Sequence, residues 1–352
     1  MTDDIASIVS STRIRFARNL KGFPFPNKIT SLEQANKMIE KVEKAISDIP
    51  LFGGMKRIDM RLLNEIDARK LMENYVISKA VTENDYACVF VNRNYHESAL
   101  DDVGDDVIIS IMVNEEDVLR EQYIANGFRL QEVLSLALSA DLELEQRLGF
   151  AFDEKFGYLT ACPSNLGTGL RASVMMFLPA LTLDGRIRQI IRNMAHEMFT
   201  FRGVYGEGSE AQGYLYQVSN EFTLGEGVWE TVHELEENVL KIAAMEKDAR
   251  RSLAKNYDYE LYDKCHRAYG LLSNAYLLGY DEFVTNLAMV KLGCCLDMFR
   301  CEDFGLFDEV LYKMREANVC LSSNGMPFTP NERRQYRAEY VRCAMRDLIK
   351  EV

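Results

Sequence analysis

Cys162-Pro163-Ser164-Asn165-Leu166-Gly167-Thr168-Gly169-Leu170-Arg171 packs a thiol, a glycine-rich turn and an arginine into ten residues. The combination suits a loop that handles phosphate. Gly167 and Gly169 allow close backbone approach to an anion, Ser164 and Thr168 add hydroxyl donors, and Arg171 brings a guanidinium fork matched to phosphate oxygens. No lysine follows the glycines, so this is not a Walker A loop. The plainer alternative is a sharp turn between strands that carries a buried cysteine. What lies on either side of the loop bears on the choice.

Strand-like runs flank it, at Gly157 to Ala161 and Ala172 to Leu178. Residues 8 to 18 predict a further strand, in which Ile14 and Phe16 alternate with Arg13 and Arg15, so that the two guanidiniums point the same way. Apolar runs at Ala87 to Val91, Val107 to Val113, Phe199 to Val204 and Tyr214 to Val218 read as strands, and helices are expected over 31–48, 129–148 and 186–198. Strands interleaved irregularly with helices predict an α+β fold rather than a doubly wound parallel sheet. From Val232 onward only helical spacing remains, broken at Gly270, Gly279 and Gly293, and the last helix opens on the capping box Thr329-Pro330-Asn331-Glu332. The expected division is a catalytic domain over 1–245 and a helical domain over 246–352.

The chain has 352 residues and a formal net charge of −13, which disfavours an extended binder of nucleic-acid backbones; any anion site must be a local basic patch. No apolar run approaches the roughly 18 residues of a membrane span, and Met1-Thr2-Asp3-Asp4 lacks the start of a secretory signal, so a cytoplasmic protein is expected. Eight cysteines at scattered spacing form no disulfide framework. With no Cys-x-x-Cys pair and with His96, His196, His233 and His266 far apart, no protein-held metal is expected.

Two further clusters complete a chemistry. Asn114-Glu115-Glu116-Asp117 follows a strong strand, with Arg120 just beyond; by itself it reads most simply as a helix start capped by Asn114. Arg202-Gly203-Val204-Tyr205-Gly206-Glu207-Gly208-Ser209-Glu210 surrounds a carboxylate with glycines, as a surface loop or a hinge that closes over substrate would. Together the clusters supply carboxylates, a thiol, and arginines at 13, 15, 120, 171 and 202. Phosphoryl transfer needs such a set: cations for the charge on the transferred group, and acids that hold a nucleophile in line.

The order and spacing of Ser11-Thr12-Arg13-Ile14-Arg15, the Asn114 to Asp117 acids, the Cys162 to Arg171 loop and Arg202 to Glu207 resemble the phosphagen (guanidino) kinase family. The nearest resemblance is to its bacterial protein arginine kinase branch, through Arg202 to Ala211 and Gln217-Val218-Ser219-Asn220, and through a first arginine strand that begins almost at once. The resemblance implies that Glu116 and Glu207 hold and deprotonate a substrate guanidinium, with Cys162 beside it. It implies ATP with Mg²⁺, bound through Ser11, Thr12, Arg13, Ile14, Arg15, Tyr75, Arg120, Arg171, Ala172, Ser173, Val174, Met175, Arg202, Gly203, Val204, Tyr205 and Gly206. It further implies protein substrates with accessible arginines, a zinc-containing activator protein, a heat-shock repressor and a Clp-type unfoldase as partners, and it leaves a homodimer open. Three positions depart from the family pattern. Val118 stands where the family writes histidine, Tyr75 aligns with a second family histidine, and Arg334 replaces the aspartate of a phosphoarginine pocket whose two arginines match Arg333 and Arg337. A kinase for free arginine and a catalytically decayed phosphoarginine-binding adaptor are the competing expectations.

Overall fold

The computed structural model describes residues 5–92, 107–196, 198–203, 211–256, 259–321 and 328–350. Its strands are Val9–Arg18 (β1), Lys56–Asp59 (β2), Cys88–Val91 (β3), Ile108–Val113 (β4), Leu119–Asn126 (β5), Phe152–Asp153 (β6), Gly157–Tyr158 (β7), Leu170–Phe177 (β8), Phe199–Gly203 (β9) and Leu215–Asn220 (β10). Eight of these form an antiparallel sheet in the order β2-β3-β4-β5-β1-β8-β10-β9, and β6 and β7 make a separate hairpin. The α+β expectation holds. None of the described helices is long and apolar enough to cross a membrane.

The chain divides into two compact units, Ser11–Ser173 with Ser219–Glu236, and Met1–Ser10 with Val174–Val218 and Glu237–Val352. In the first unit, β1 pairs with β5 in a register that sets Arg15 opposite Gln122, Phe16 opposite Glu121 and Ala17 opposite Arg120. Side chains alternate faces along a strand, so Thr12, Ile14, Phe16 and Arg18 share one face and Ser11, Arg13 and Arg15 the other. Helix Leu130–Leu148 covers the first face, where its Asp141 takes two hydrogen bonds from Arg18, at 2.9 and 2.8 Å. Helix Leu32–Ser47 packs on that helix, capped by Ser31 and burying Ala35, Met38, Ile39, Val42, Ala45 and Ile46.

Arg18 is 1% exposed. Its guanidinium lies 3.7 Å from the Tyr158 ring centroid and 4.7 Å from that of Phe16, and it also donates to the carbonyls of Ala17 and Thr168. Burial works against its charge, and the Asp141 carboxylate more than offsets this, holding its pKa above the ordinary value. Glu121, on the same face, is buried and accepts from the Tyr123 hydroxyl; burial first, then Asp141, push its pKa well up.

In the second unit, helices Tyr259–Asn274, Tyr280–Cys295, Gly305–Lys313 and Pro330–Leu348 enclose a core that includes Phe283, Leu287, Phe307 and Val341. The Thr329–Glu332 capping box forms as expected. Buried Glu246 accepts from the backbone N–H groups of Ala180 and Leu181, and Arg250 bridges Glu246 to Ser7.

Three local expectations are corrected. Asn114 to Asp117 start no helix: they form the tight turn between β4 and β5, with Asn114 at a φ of 61° and its N–H bonded to the Val118 carbonyl. Asparagine tolerates that left-handed conformation, which outweighs its capping role here. The central strand β5 that follows carries Arg, Glu and Gln among its apolar residues and escapes a hydrophobicity reading. The strand expected over Gly157 to Ala161 is only two residues long, because the Ala161 N–H is taken by the Asp117 carboxylate instead of a ladder.

Removing Asp141 leaves Arg18 charged, buried and unpaired. Asp141→Ala is therefore expected to destabilise the first unit by about 3–5 kcal/mol, read from urea unfolding followed by tryptophan fluorescence and circular dichroism; a loss below about 1 kcal/mol would refute the pairing as a structural anchor.

Candidate active site

Strand parity assembles the arginines. Arg13 and Arg15 point to the face of the sheet opposite Arg18, and Arg120, which faces Ala17 across the β1–β5 ladder, points the same way. On β8, Ser173 accepts a hydrogen bond from Arg13 Nε at 3.3 Å, which puts Ser173 and, two residues earlier, Arg171 on this face too. An open cleft of about 310 Å³ runs between these side chains, lined by Arg15, Glu115, Asp117, Arg120, Asn165 and Arg171 among others.

Four guanidiniums this close repel one another. Arg13 is lowered to about 10, by burial first and then by Arg120 and Arg171, with Tyr75 opposing. Arg15 is pushed well below its ordinary value by burial, then by Arg13, Arg120 and Arg171, and only Glu115 works the other way. Arg15 Nε is buried with no hydrogen-bond partner among the described residues. Buried donors are almost always paired, so an unpaired guanidinium N–H beside three like charges marks a place built for an anion.

The β4–β5 turn sorts its acids into different roles. Glu115 accepts from Arg120 and from the Ser78 hydroxyl, and these contacts outweigh burial to hold its carboxyl below the usual range. Asp117 is buried and accepts from Asn19 and from the Ala161 N–H, both at 2.6 Å, tying the turn to the start of the thiol loop. Glu116 is left exposed at the tip. In the loop, Cys162 Sγ lies 3.0 Å from Ser164 Oγ.

The glycines of that loop serve its packing. Gly167 and Gly169 have φ of 107° and 63°; a Cβ on Gly169 would stand 2.6 Å from the Ala17 carbonyl, and one on Gly167 would strike the Thr223 carbonyl. The Thr168 hydroxyl likewise bonds Thr223 and the Leu170 N–H. Close backbone contacts, rather than approach to an anion, explain these residues. Tyr75, at a φ of 59°, accepts from Gln122 through its carbonyl and lies close enough to act on Arg13.

Ser11 is half-buried on the arginine face, whereas Thr12, Ile14, Ala172 and Val174 are buried on the opposite one; Thr12 spans Gly127 and Arg129. Met175 is half-buried, and Arg202 and Gly203 end β9 in the second unit, with Arg202 exposed. Val204, Tyr205, Gly206 and Glu207 lie outside the described residues. Val118 is fully buried in the turn, its N–H donated to Asn19. Sequence reasoning did not assign Ser78, Glu115 or Thr223 their positioning roles, since their partners lie far away along the chain; the one local signal was the asparagine that begins the turn.

In the second unit, Arg337 is 1% exposed and donates to the carbonyls of Met314 and Leu278 and to Glu316. Arg333 pairs with the same Glu316 at 3.4 Å, while Arg334 is exposed. The arginines of this helix therefore do not form a purely solvated basic face.

Comparison with known proteins agrees with this geometry. The profile of the ATP:guanido phosphotransferase C-terminal catalytic domain matches residues 37–249, and that of the protein-arginine kinase McsB C-terminal domain matches residues 258–351. The protein-arginine kinase of Caldanaerobacter subterraneus subsp. tengcongensis is 39% identical over 336 residues, covering 95% of this chain and 96% of its own. That of Moorella thermoacetica is 39% identical over 340 residues, covering 96% and 93%. Among solved structures, the duplicated taurocyamine kinase of Schistosoma mansoni shares the fold at a TM-score of 0.59 and 23% identity, over 76% of this chain and 38% of that one. Lombricine kinase does so at a TM-score of 0.57 and 22% identity, over 70% of each. With its arginines gathered on one sheet face, its acid turn and full-length likeness of this kind, the chain belongs to the ATP:guanido phosphotransferase family, in the protein-arginine kinase branch.

Proposed function

We propose that this enzyme transfers the γ-phosphoryl group of ATP to arginine side chains of proteins. The observation that carries the reading is the group of four guanidiniums on one sheet face with Arg15 Nε unpartnered, a cradle for a polyphosphate. Full-length relatives named protein-arginine kinase support a protein acceptor.

In this reading Arg13, Arg15, Arg120 and Arg171 hold the nucleotide phosphates and neutralise charge spreading over the transferred group. Arg202 adds a fifth cation. Glu115 and Ser78 fix Arg120 in place, which frees Glu116 to face the acceptor. Glu116 and Glu207 grip the acceptor guanidinium, and one of them takes the proton released as its nitrogen attacks phosphorus; the P–N bond forms as the bond to the ADP oxygen breaks. Cys162 sits beside the acceptor and contributes electrostatically. Tyr75, Ser173 and the backbone of β1 and β8 would seat the rest of the nucleotide. Among the described residues no group of three or more His, Cys, Asp or Glu side chains is placed to hold a metal ion. Mg²⁺ therefore fits as the ion carried by the ATP phosphates, where it neutralises charge.

Residues 1–245 are proposed as the catalytic domain and 246–352 as a regulatory one. An anion reaching Arg333 and Arg337 would compete with Glu316, and the exposed Arg334 would favour a plain anion over phosphoarginine. A cytoplasmic setting, a stress-response role, marking of substrates for a Clp-type unfoldase, action on a heat-shock repressor, and a zinc-containing activator belong to the same proposal.

The test is purified protein with Mg-ATP and an unfolded arginine-rich protein, read by mass spectrometry under conditions that spare acid-labile P–N bonds. Phosphoarginine on protein supports the reading, and transfer to free arginine alone rejects it. Glu207→Ala is expected to abolish turnover while ATP still binds, whereas Arg171→Ala weakens binding and lowers kcat by about 10³ or more if it acts as a transition-state clamp. Arg15→Met should raise the ligand-free melting temperature by a few degrees, because a buried, unpaired charge is removed. It should also erase the stabilisation by inorganic tripolyphosphate, about 2.7 kcal/mol at a hundred times Kd in the parent protein. A lower ligand-free melting temperature would count against strain in the arginine cluster.

A further inference from the structure

Three backbone segments of the first unit are stacked against one another beside the thiol loop. The Gly167 carbonyl accepts from the Tyr158 N–H at 2.8 Å, and the Thr168 N–H donates to the Thr223 carbonyl at 2.8 Å. The Thr223 hydroxyl reaches the carbonyls of Ser164 and Leu166, at 3.1 and 2.6 Å. No side chain fits between the layers, since a Cβ on Gly157 would stand 2.6 Å from the Gly167 carbonyl. The segment around Thr223 is thus locked to Ser164, Leu166 and Thr168, in the loop that Cys162 begins.

This locked segment turns large apolar side chains to solvent. Phe222 is 53% and Leu224 55% exposed, on either side of buried Thr223, and Phe156, next to Gly157 in the β6–β7 hairpin, is 43% exposed. Large apolar side chains held rigidly outward and close together are uncommon on a surface without a binding role. Exposed charges are interleaved with them: the carboxylates of Glu154, Glu221 and Glu226 outnumber the ammonium of Lys155, which lies 5.2 Å from the Phe156 ring centroid. Such a surface complements a polypeptide that is apolar and locally basic.

We infer that Phe222, Leu224 and Phe156 form a docking shelf for an extended segment of the protein substrate, burying apolar residues that flank the target arginine while Glu221 and Glu226 attract its positive charge. The inference rests on the acceptor being a protein. Rigid backbone at Thr223 keeps the shelf at a fixed distance from the thiol loop, so it would select on the residues that flank the arginine. A free amino acid carries no such flanks and gains nothing from it.

The test uses the full chain and two fluorescent peptides with one central arginine each, flanked by leucine and phenylalanine in one and by glycine and serine in the other. Binding is read by anisotropy with Mg-ADP present, and turnover by phosphoarginine formation. The parent protein is expected to favour the apolar-flanked peptide. Phe222→Ser/Leu224→Ser should raise the Kd and KM for that peptide about tenfold, leave the KM for ATP and the kcat within twofold, and remove the preference. Both side chains are largely exposed, so the melting temperature should stay within about a degree or two. An equal effect on both peptides, or an undiminished preference, overturns the shelf. If the parent protein binds the apolar-flanked peptide selectively and the double variant does not, yet neither forms phosphoarginine, the shelf stands and the kinase reading fails.

Discussion

Like charges gathered on one face of a sheet are costly, and the first unit is organised around meeting that cost. Arg13 and Arg15 are two residues apart on β1, and the antiparallel ladders bring Arg120 and Arg171 to the same side. Their mutual repulsion, added to burial, lowers the pKa of Arg13 and of Arg15. Glu115 neutralises part of it, through Arg120. The remainder is held by the strands, which cannot separate the guanidiniums without breaking register. A polyanion entering this face meets donors already in position, and relief of the repulsion adds to the attraction.

The opposite face supplies the stiffness. Arg18 lies only three positions from Arg15, yet it is held by a bidentate carboxylate, two carbonyls and aromatic rings. The same residue type lines the cleft at one parity and is locked into the core at the other. Arg18 also contacts the carbonyl of Thr168, so the core network reaches the thiol loop directly. From the far side Thr223 fastens that loop, and Asp117 fastens its beginning to the acid turn. Turn, loop and sheet in this unit are therefore one hydrogen-bonded assembly, in which exposed Glu116 and half-buried Cys162 are presented by rigid backbone.

Much of this was legible along the chain. Alternation in Ser11 to Arg15 placed two arginines together, the stripe from Ala35 to Ile46 announced its helix, and the capping box at Thr329 marked the last one. The acid turn was misread because Asn114 suits a helix cap and a left-handed turn equally well in sequence, and only pairing of β4 with β5 separates the two. Strand β5 was missed since Arg120, Glu121 and Gln122 mask its apolar pattern, although each finds a partner: Glu115 in the turn, Tyr123 on the same strand and Ser110 on β4. The glycines were read as room for an anion, whereas Arg18 and Ala17 crowd Gly169 and Thr223 crowds Gly167.

The sequence by itself determined what depends on neighbours a few positions away: which side chains share a face, where helices begin, and a set of motifs whose order marks the family. Tertiary structure alone decided which charges are partnered. Arg18 finds Asp141, Arg120 finds Glu115 and Arg337 finds Glu316, while Arg15 Nε finds no partner among the described residues. The reason is physical: face and helix are set by backbone periodicity, which is local, whereas the pairing of a buried charge depends on strand register and helix packing between residues that can be more than a hundred positions apart.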